Sequence, residues 1–544
     1  MNQIRVFGVR SWLLLAALLL PAFSAFRVVA PEALTLKKNS RIALIGNNLG
    51  SRMMNFGHFE TEMQVRYPDS TLFIRNLCDG GDTPGFRPHA SRFSPWAFPG
   101  AEKFQTELAT NSESEGHFES PDQWLTRLQT DVIVAFFGYN ESFGGKAGLA
   151  NYKAELDAFV KWTLAQRYNG STPPQLALVS PIAFEDLSDR YDLPNGKKEN
   201  ENLAFYTQAM REVADENSRA GGRVLFVDAF SPSRQWYAST AEPLTIDGCQ
   251  LNDEGYKKLS LLLADRIFGP AAPKAGANRS LIHAAVMEKN WMWHNDFKIP
   301  NGVHVYGRRY NPFGPDNYPA EIEKIRQMTA IRDTAVWRAA TKGERFDLAA
   351  ADARTRPLPP VKTNFNPEKN GSLTYLYGQD ALSKLKVPTG YKIELFASET
   401  EFPDLAKPMQ MSFDGKGRLW VAVMPSYPHY KPGDPKPNDK ILILEDTNGD
   451  GKADKQTVFA DGLHLPLGFE IAKEGVYVSQ GTNLKLFTDT NGDDRADKVE
   501  ILLSGFDDHD THHNSHAFTV DPSGAIYSGE GVFLHTNVET PYGP

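Results

Sequence analysis

The chain has 544 residues, room for two to four domains of ordinary size. Its 58 Lys and Arg against 67 Asp and Glu leave a net charge of −9, which argues against a general nucleic-acid-binding surface. Hydrophobic residues at 41% and charged residues at 23% are a globular balance, and two cysteines cannot build a four-cysteine zinc site.

Residues 1–30 carry the pattern of an export leader (signal peptide). Arg5 and Arg10 form a basic start, Trp12 to Leu20 an apolar run, and Pro21 its break. Cleavage is expected after Ser24 or Ala30. An uncleaved anchor is the alternative and would leave the protein membrane-associated. Either way the rest of the chain is expected outside the cytoplasm, periplasmic or extracellular, where Cys78 and Cys249 would be free to bridge.

Residues 31–270 alternate short apolar runs with amphipathic stretches. The runs 41–46, 131–138, 175–180 and 223–228 read as strands of a parallel sheet buried on both faces. Helical patterns at 152–166 and 201–216 lie between them, so the expected class is an α/β sandwich with its ligand site at the carboxyl ends of the strands. Residues 271–385 read as a helical and irregular connector. A Gly- and Pro-rich linker opens it, and helices at 277–291 and 319–342 flank an aromatic, proline-rich stretch at 306–318. Four prolines between 354 and 367 predict extended chain.

Residues 386–544 are β-rich and repetitive. The stretches 411–422, 469–478 and 518–527 each read as strand, Gly turn and strand, with Trp420, Tyr477 and Tyr527 at corresponding places. Their interval is at or just above the roughly 40–50 residues of a propeller blade. About three blades are legible where a closed propeller has roughly 4–8. The expectation is an incomplete all-β propeller, truncated or completed by a partner.

Four blocks in the first zone resemble the SGNH/GDSL hydrolase superfamily. They are Gly46-Asn47-Asn48-Leu49, Asn76 to Thr83, Gly138-Tyr139-Asn140-Glu141, and Asp247-Gly-Cys-Gln-Leu-Asn252. The resemblance implies a flavodoxin-like, three-layer α/β/α fold. It also implies that Gly81 and Asn140 are oxyanion donors and that Asp247 is the carboxylate of a catalytic triad. The nucleophile position holds Asn48 and the base position holds Gln250. A carboxamide neither attacks an ester usefully nor accepts a proton near pH 7. Ser51, His58 and Cys249 are close in sequence but off the motif positions. Three readings stay open for the pocket: a hydrolase with unusual residues, a binding site for a sugar or acyl ligand, and polar residues that merely cap strand ends.

Two loops, 446–454 and 489–497, are nearly identical. Asp446, Asn448, Asp450 and Asp454, and again Asp489, Asn491, Asp493 and Asp497, stand at the offsets of a calcium loop, with Glu500 at the twelfth position of the second. Calcium is weighed here against plain hairpin turns with solvated acids. The stretch 509–516 holds four histidines. The leader, the α/β zone, the connector run Tyr310 to Asn317, and the stretches Glu401 to Ala406, Leu444 to Asp454 and Val538 to Pro544 together resemble large secreted proteins of the planctomycete–verrucomicrobial (PVC) type, whose propellers are similar to sugar dehydrogenases and which carry a c-type heme domain further on. That resemblance implies His512, His513 or His516 as base, a quinone cofactor, and a redox partner or downstream heme domain. A metal cluster or a polar loop are the other readings of the histidines. No C-x-x-C-H heme motif, dinucleotide glycine fingerprint or P-loop occurs in this sequence. The expected partners are a carbohydrate or a small-molecule ester or alcohol.

Overall fold

Five short apolar runs form one parallel sheet in a computed structural model that describes residues 33–89, 91–104, 116–370, 375–531 and 534–544. The export leader read at 1–30 lies outside these residues. The strands are β1 (Arg41–Gly46), β2 (Phe73–Asn76), β3 (Val132–Phe136), β4 (Gln175–Val179) and β5 (Val224–Val227), in the order β2-β1-β3-β4-β5. Ile42 of β1 pairs with Ile74 on one side and Val132 on the other. Successive residues of such strands face opposite layers, so both must be apolar, and every residue of β3 is buried.

The two layers are distinct. On one face, Ala43, Ile133 and Leu176 pack against helices Gly145–Ala165 and Lys197–Arg219 through Leu156, Phe159, Met210 and Val213. On the other, Leu44, Val134 and Leu225 meet helices His58–Arg66 and Asp253–Phe268 through Met63, Leu259 and Leu263. This is an α/β body with the 2-1-3-4-5 strand order of flavodoxin-like sheets. Strand β2 escapes sequence reading because it is four residues long and carries Arg75, whose guanidinium is buried in a bidentate pair with Asp333 (2.9 and 2.5 Å).

Asp333 belongs to helix Gly314–Lys342, which packs with helix Arg279–Phe297 along the α/β body. The region read as a connector is therefore an added helical layer, tied in also by the buried Lys289–Glu60 pair (2.6 Å). The helix begins at Gly314, inside the stretch read as irregular, because Pro315 fits a first turn where its missing N–H is not needed.

The C-terminal region is all-β. Strands β6 (Pro408–Phe413), β7 (Leu419–Val423), β8 (Asp439–Glu445) and β9 (Lys455–Leu463) form one antiparallel meander. Strands β10 (Gly468–Ile471), β11 (Val476–Gln480), β12 (Asn483–Thr488) and β13 (Lys498–Ser504) form a second. A hairpin, β14 (His516–Val520) and β15 (Ile526–Gly529), follows. Trp420, Ile441 and Phe459 of the first meander share one core with Phe469, Val478 and Phe487 of the second. No closure of these sheets into a ring or barrel is found among the described residues.

The β region is docked on the α/β body. Fully buried Arg52 donates to Ser504 Oγ and the Ile501 carbonyl, both at 3.0 Å. Arg308 reaches Asp510 at 3.1 Å. Residues 33–544 thus form one packed unit. Both cysteines are buried and unbridged, so the disulfide allowed by the sequence does not form. No helix of the described residues is long and apolar enough to cross a membrane.

Candidate active-site cleft and its occupant

The first three strands of the sheet deliver the site. The chain leaves β1 at Gly46, and Asn47 caps the short helix Asn48–Ser51, its side chain accepting from Leu49 N (3.2 Å). The loop after β2 presents the Gly81 N–H, and the turn after β3 presents the Asn140 side chain. Because β1 lies between β2 and β3, these three loops meet at the point where the strand order reverses.

What they meet around is the carboxyl group of Glu539. Its Oε1 accepts from Asn48 N (3.0 Å), Gly81 N (2.9 Å) and Asn140 Nδ2 (3.0 Å). Three N–H donors on one oxygen are the geometry of an oxyanion hole. Gln250 completes the cradle. Its Nε2 donates to the Glu539 backbone carbonyl (3.1 Å), and its Oε1 accepts from Asn48 Nδ2 (3.1 Å). Asn48 and Gln250 are thus bonded to each other through their amides, and Gln250 grips the occupant's backbone. Asp247 accepts from the backbone N–H groups of Cys249 (3.0 Å) and Gln250 (2.7 Å), which fixes the turn that carries Gln250. Four of the five residues named from the four blocks bond to Glu539, and Asp247 holds the turn that carries Gln250. The sixth participant, Glu539, was not named. It stands 399 residues from Asn140.

The segment around Glu539 is fastened on both sides. Tyr139 Oη donates to the Thr540 carbonyl (2.7 Å), and Asn537 N donates to the Gly505 carbonyl (3.0 Å). Gly81 has φ +76°, and a Cβ there would stand 2.6 Å from Asn537 Cβ, so only glycine admits the segment. Burial pushes the Glu539 carboxyl up to about 7; the hydrogen bonds from Asn140, Gly81 and Asn48 pull the other way and lose. A neutral Glu539 offers a carbonyl oxygen to the three donors, as a bound acyl group would.

Beside the occupant lies a cavity of about 570 Å³, lined by Gly81, Asn140, Glu141, Tyr152, Glu155 and Asn537 among others. Glu141 Oε2 accepts from Gly138 N (2.8 Å), while its Oε1, the Tyr152 Oη and the Asn140 Oδ1 have no partner among the described residues. Burial first, then the nearby Glu155, pushes Glu141 up to about 8.

Positions 48 and 250 of this cleft hold amides, and Cys249 stands beside Gln250. Burial pushes the Cys78 and Cys249 thiols well above their usual range, which disfavours the thiolate. Ser51 lines a different cavity, and His58 pairs with Asp253 at 2.7 Å. A serine–histidine pair does form elsewhere, between Ser91 Oγ and His509 Nε2. Both residues are sealed in the docking interface, His509 Nδ1 has no partner among the described residues, and burial pushes the imidazole down to about 3. It lacks both substrate access and an orienting carboxylate.

The histidine stretch does not converge. His512 Nδ1 faces Tyr427 Oη (3.1 Å), His516 Nδ1 faces the Asn514 carbonyl (2.6 Å), and His513 lies edge-on to His512. The acidic loops serve their own turns. Asp446 accepts from the N–H groups of Gly449, Asp450 and Gly451, and Asp454 accepts from Thr447. Asp489 and Asp497 repeat the pattern with Gly492, Asp493, Asp494 and Thr490. Glu500 pairs with Lys498 (2.8 Å). Among the described residues no three His, Cys, Asp or Glu side chains come together as metal ligands.

A family model described as a domain of unknown function (DUF7133) matches residues 378–541, a span that includes Glu539. No curated protein matches the chain. Among solved structures, a gut microbial diltiazem-metabolizing enzyme is similar at 15% identity over 44% of this chain and 49% of that one, with a TM-score of 0.31. The chain thus spans about half that enzyme's length. The acetylxylan esterase Axe2 from Geobacillus stearothermophilus is similar at 14% identity over 43% of this chain and 96% of that one, with a TM-score of 0.29. Likeness this low carries no argument about activity, and the α/β assignment rests on its own topology.

Proposed function

We propose that the α/β body is a hydrolase-type scaffold that holds a carboxyl group without cleaving anything, and that its occupant is the chain's own Glu539. Its role in this chain is to clamp the C-terminal β region. The observation that carries this reading is the single Glu539 oxygen shared by three N–H donors. The residues where ester chemistry would need a hydroxyl and an imidazole are amides bonded to each other, which supports binding over turnover. The rival reading, an esterase acting on small esters, is favoured by the same donor geometry and by the hydrolase-like core. Hydrolysis of p-nitrophenyl acetate by the whole chain and by Glu539→Ala separates the two. Holding without cleavage gives no turnover above a heat-denatured control in either protein, and faster proteolysis of 534–544 in the variant. Turnover that rises when Glu539 is removed would replace the clamp with an esterase.

The wider expectations stand as proposals. The leader pattern supports export, tested by N-terminal sequencing of secreted protein. Two consecutive four-stranded meanders support the blade reading of the β region. For a sugar or alcohol dehydrogenase, the separate partners of His512, His513 and His516 offer no support.

A further inference from the structure

A second cavity, of about 260 Å³, lies where the α/β body, helix Arg279–Phe297 and the second meander meet. Its wall includes Trp291, His464, Gln480, Asn483, Lys485 and Asp508. The unusual member is Lys485. It sits mid-strand on β12, two residues from Phe487, which is buried in the core shared by the two meanders. Side chains two apart on a strand share a face, so this lysine occupies a face that is otherwise core. The pairing with β13 shifts register between Leu484 and Lys485, the kind of irregularity that re-aims a side chain.

The Lys485 Nζ has no ion pair or hydrogen bond among the described residues, and burial alone pushes the amine down to about 8. In the same wall His294 Nε2 lies 3.2 Å from Asp508 Oδ2, and Lys298 pairs with Asp79. His464 adds no charge, since burial pushes its imidazole down to about 3. Two further groups are left open. Gln480 Oε1 and His464 Nε2 are fully buried in the same wall and have no partner among the described residues. Half-buried Lys485 faces the cavity without a counter-ion, and buried polar atoms without partners cost stability unless something else supplies what they lack.

The missing complement has a definite chemistry: one negative charge for Lys485, hydroxyl hydrogens for Gln480 Oε1 and His464 Nε2, and a C–H face for Trp291. We propose that this cavity binds a small hydroxylated carboxylate, of the sugar-acid class, with its carboxylate on Lys485. The volume holds about nine waters at roughly 30 Å³ each, room for a five- or six-carbon chain. The inference is independent of how the Glu539 cleft is read.

Isothermal titration of the whole chain tests it with four probes: D-gluconate, acetate, D-glucose and inorganic phosphate. Gluconate is expected to bind at least tenfold more tightly than the other three. Lys485→Met, which keeps the stem and removes the charge, is expected to weaken gluconate at least tenfold while its thermal midpoint without ligand stays level or rises. Gln480→Leu is the second variant, with a smaller loss expected. No heat with gluconate, unchanged gluconate affinity in Lys485→Met, or acetate or phosphate equal to gluconate would each overturn the proposal.

Discussion

Replacing Glu539 with glutamine isolates the energetics of the occupied cleft. The glutamine Oε1 can still accept from Asn48 N, Gly81 N and Asn140 Nδ2, but the side chain no longer ionises. In the parent, the carboxyl stands at about 7 when folded, against an ordinary 4.5. An acid raised on folding stabilises fully below the unfolded value and loses that contribution as pH rises through the folded one. At about 1.4 kcal/mol per pH unit, the interval from 4.5 to about 7 makes about 3 kcal/mol. The surroundings sharpen the effect: Asp79 adds like charge, and Cys249 and Tyr139 are kept neutral by burial. Urea unfolding of parent and variant should therefore agree within about 1 kcal/mol at pH 5, and the variant should be the more stable by about 3 kcal/mol at pH 8.5. Both proteins carry every other titrating group, so the difference reports position 539. A gap that does not change between the two pH values would refute the buried, proton-holding carboxyl.

Gly81→Ala forces both a strained φ and a clash with Asn537, so the 534–544 segment should lift; its proteolysis should speed up at least tenfold while helix content by circular dichroism holds. Arg75→Met strands the buried Asp333 carboxylate and should cost about 3–5 kcal/mol in chemical denaturation, more than removing any exposed ion pair. Asn48→Ser, Gln250→His and Glu539→Ala combined should bring p-nitrophenyl acetate turnover at least tenfold above the parent, because hydroxyl and imidazole would replace two amides already 3.1 Å apart with Asp247 behind them. Parent-level rates in that variant would show that the cleft has lost more than two side chains.

Four of the five parallel strands, the main helices and several hairpin strands of the β region were legible because burial on one or both faces writes a short-range pattern into the residues. The same holds for Asn48, Gly81, Asn140, Asp247 and Gln250, whose motif spacing reflects loops at adjacent strand ends. Strand β2 was not legible, since its Arg75 is made tolerable by Asp333, which is remote in sequence. Glu539 and Lys485 were silent for the same reason. A glutamate near the end of the chain and a lysine between apolar strand residues look solvated until the fold removes the water. Only the docking of the β region on the α/β body decided that one acid would fill an oxyanion cradle and that one amine would face a cavity with no counter-charge. Local sequence fixes what each segment can bury; which polar group is then left without solvent depends on segments hundreds of residues away.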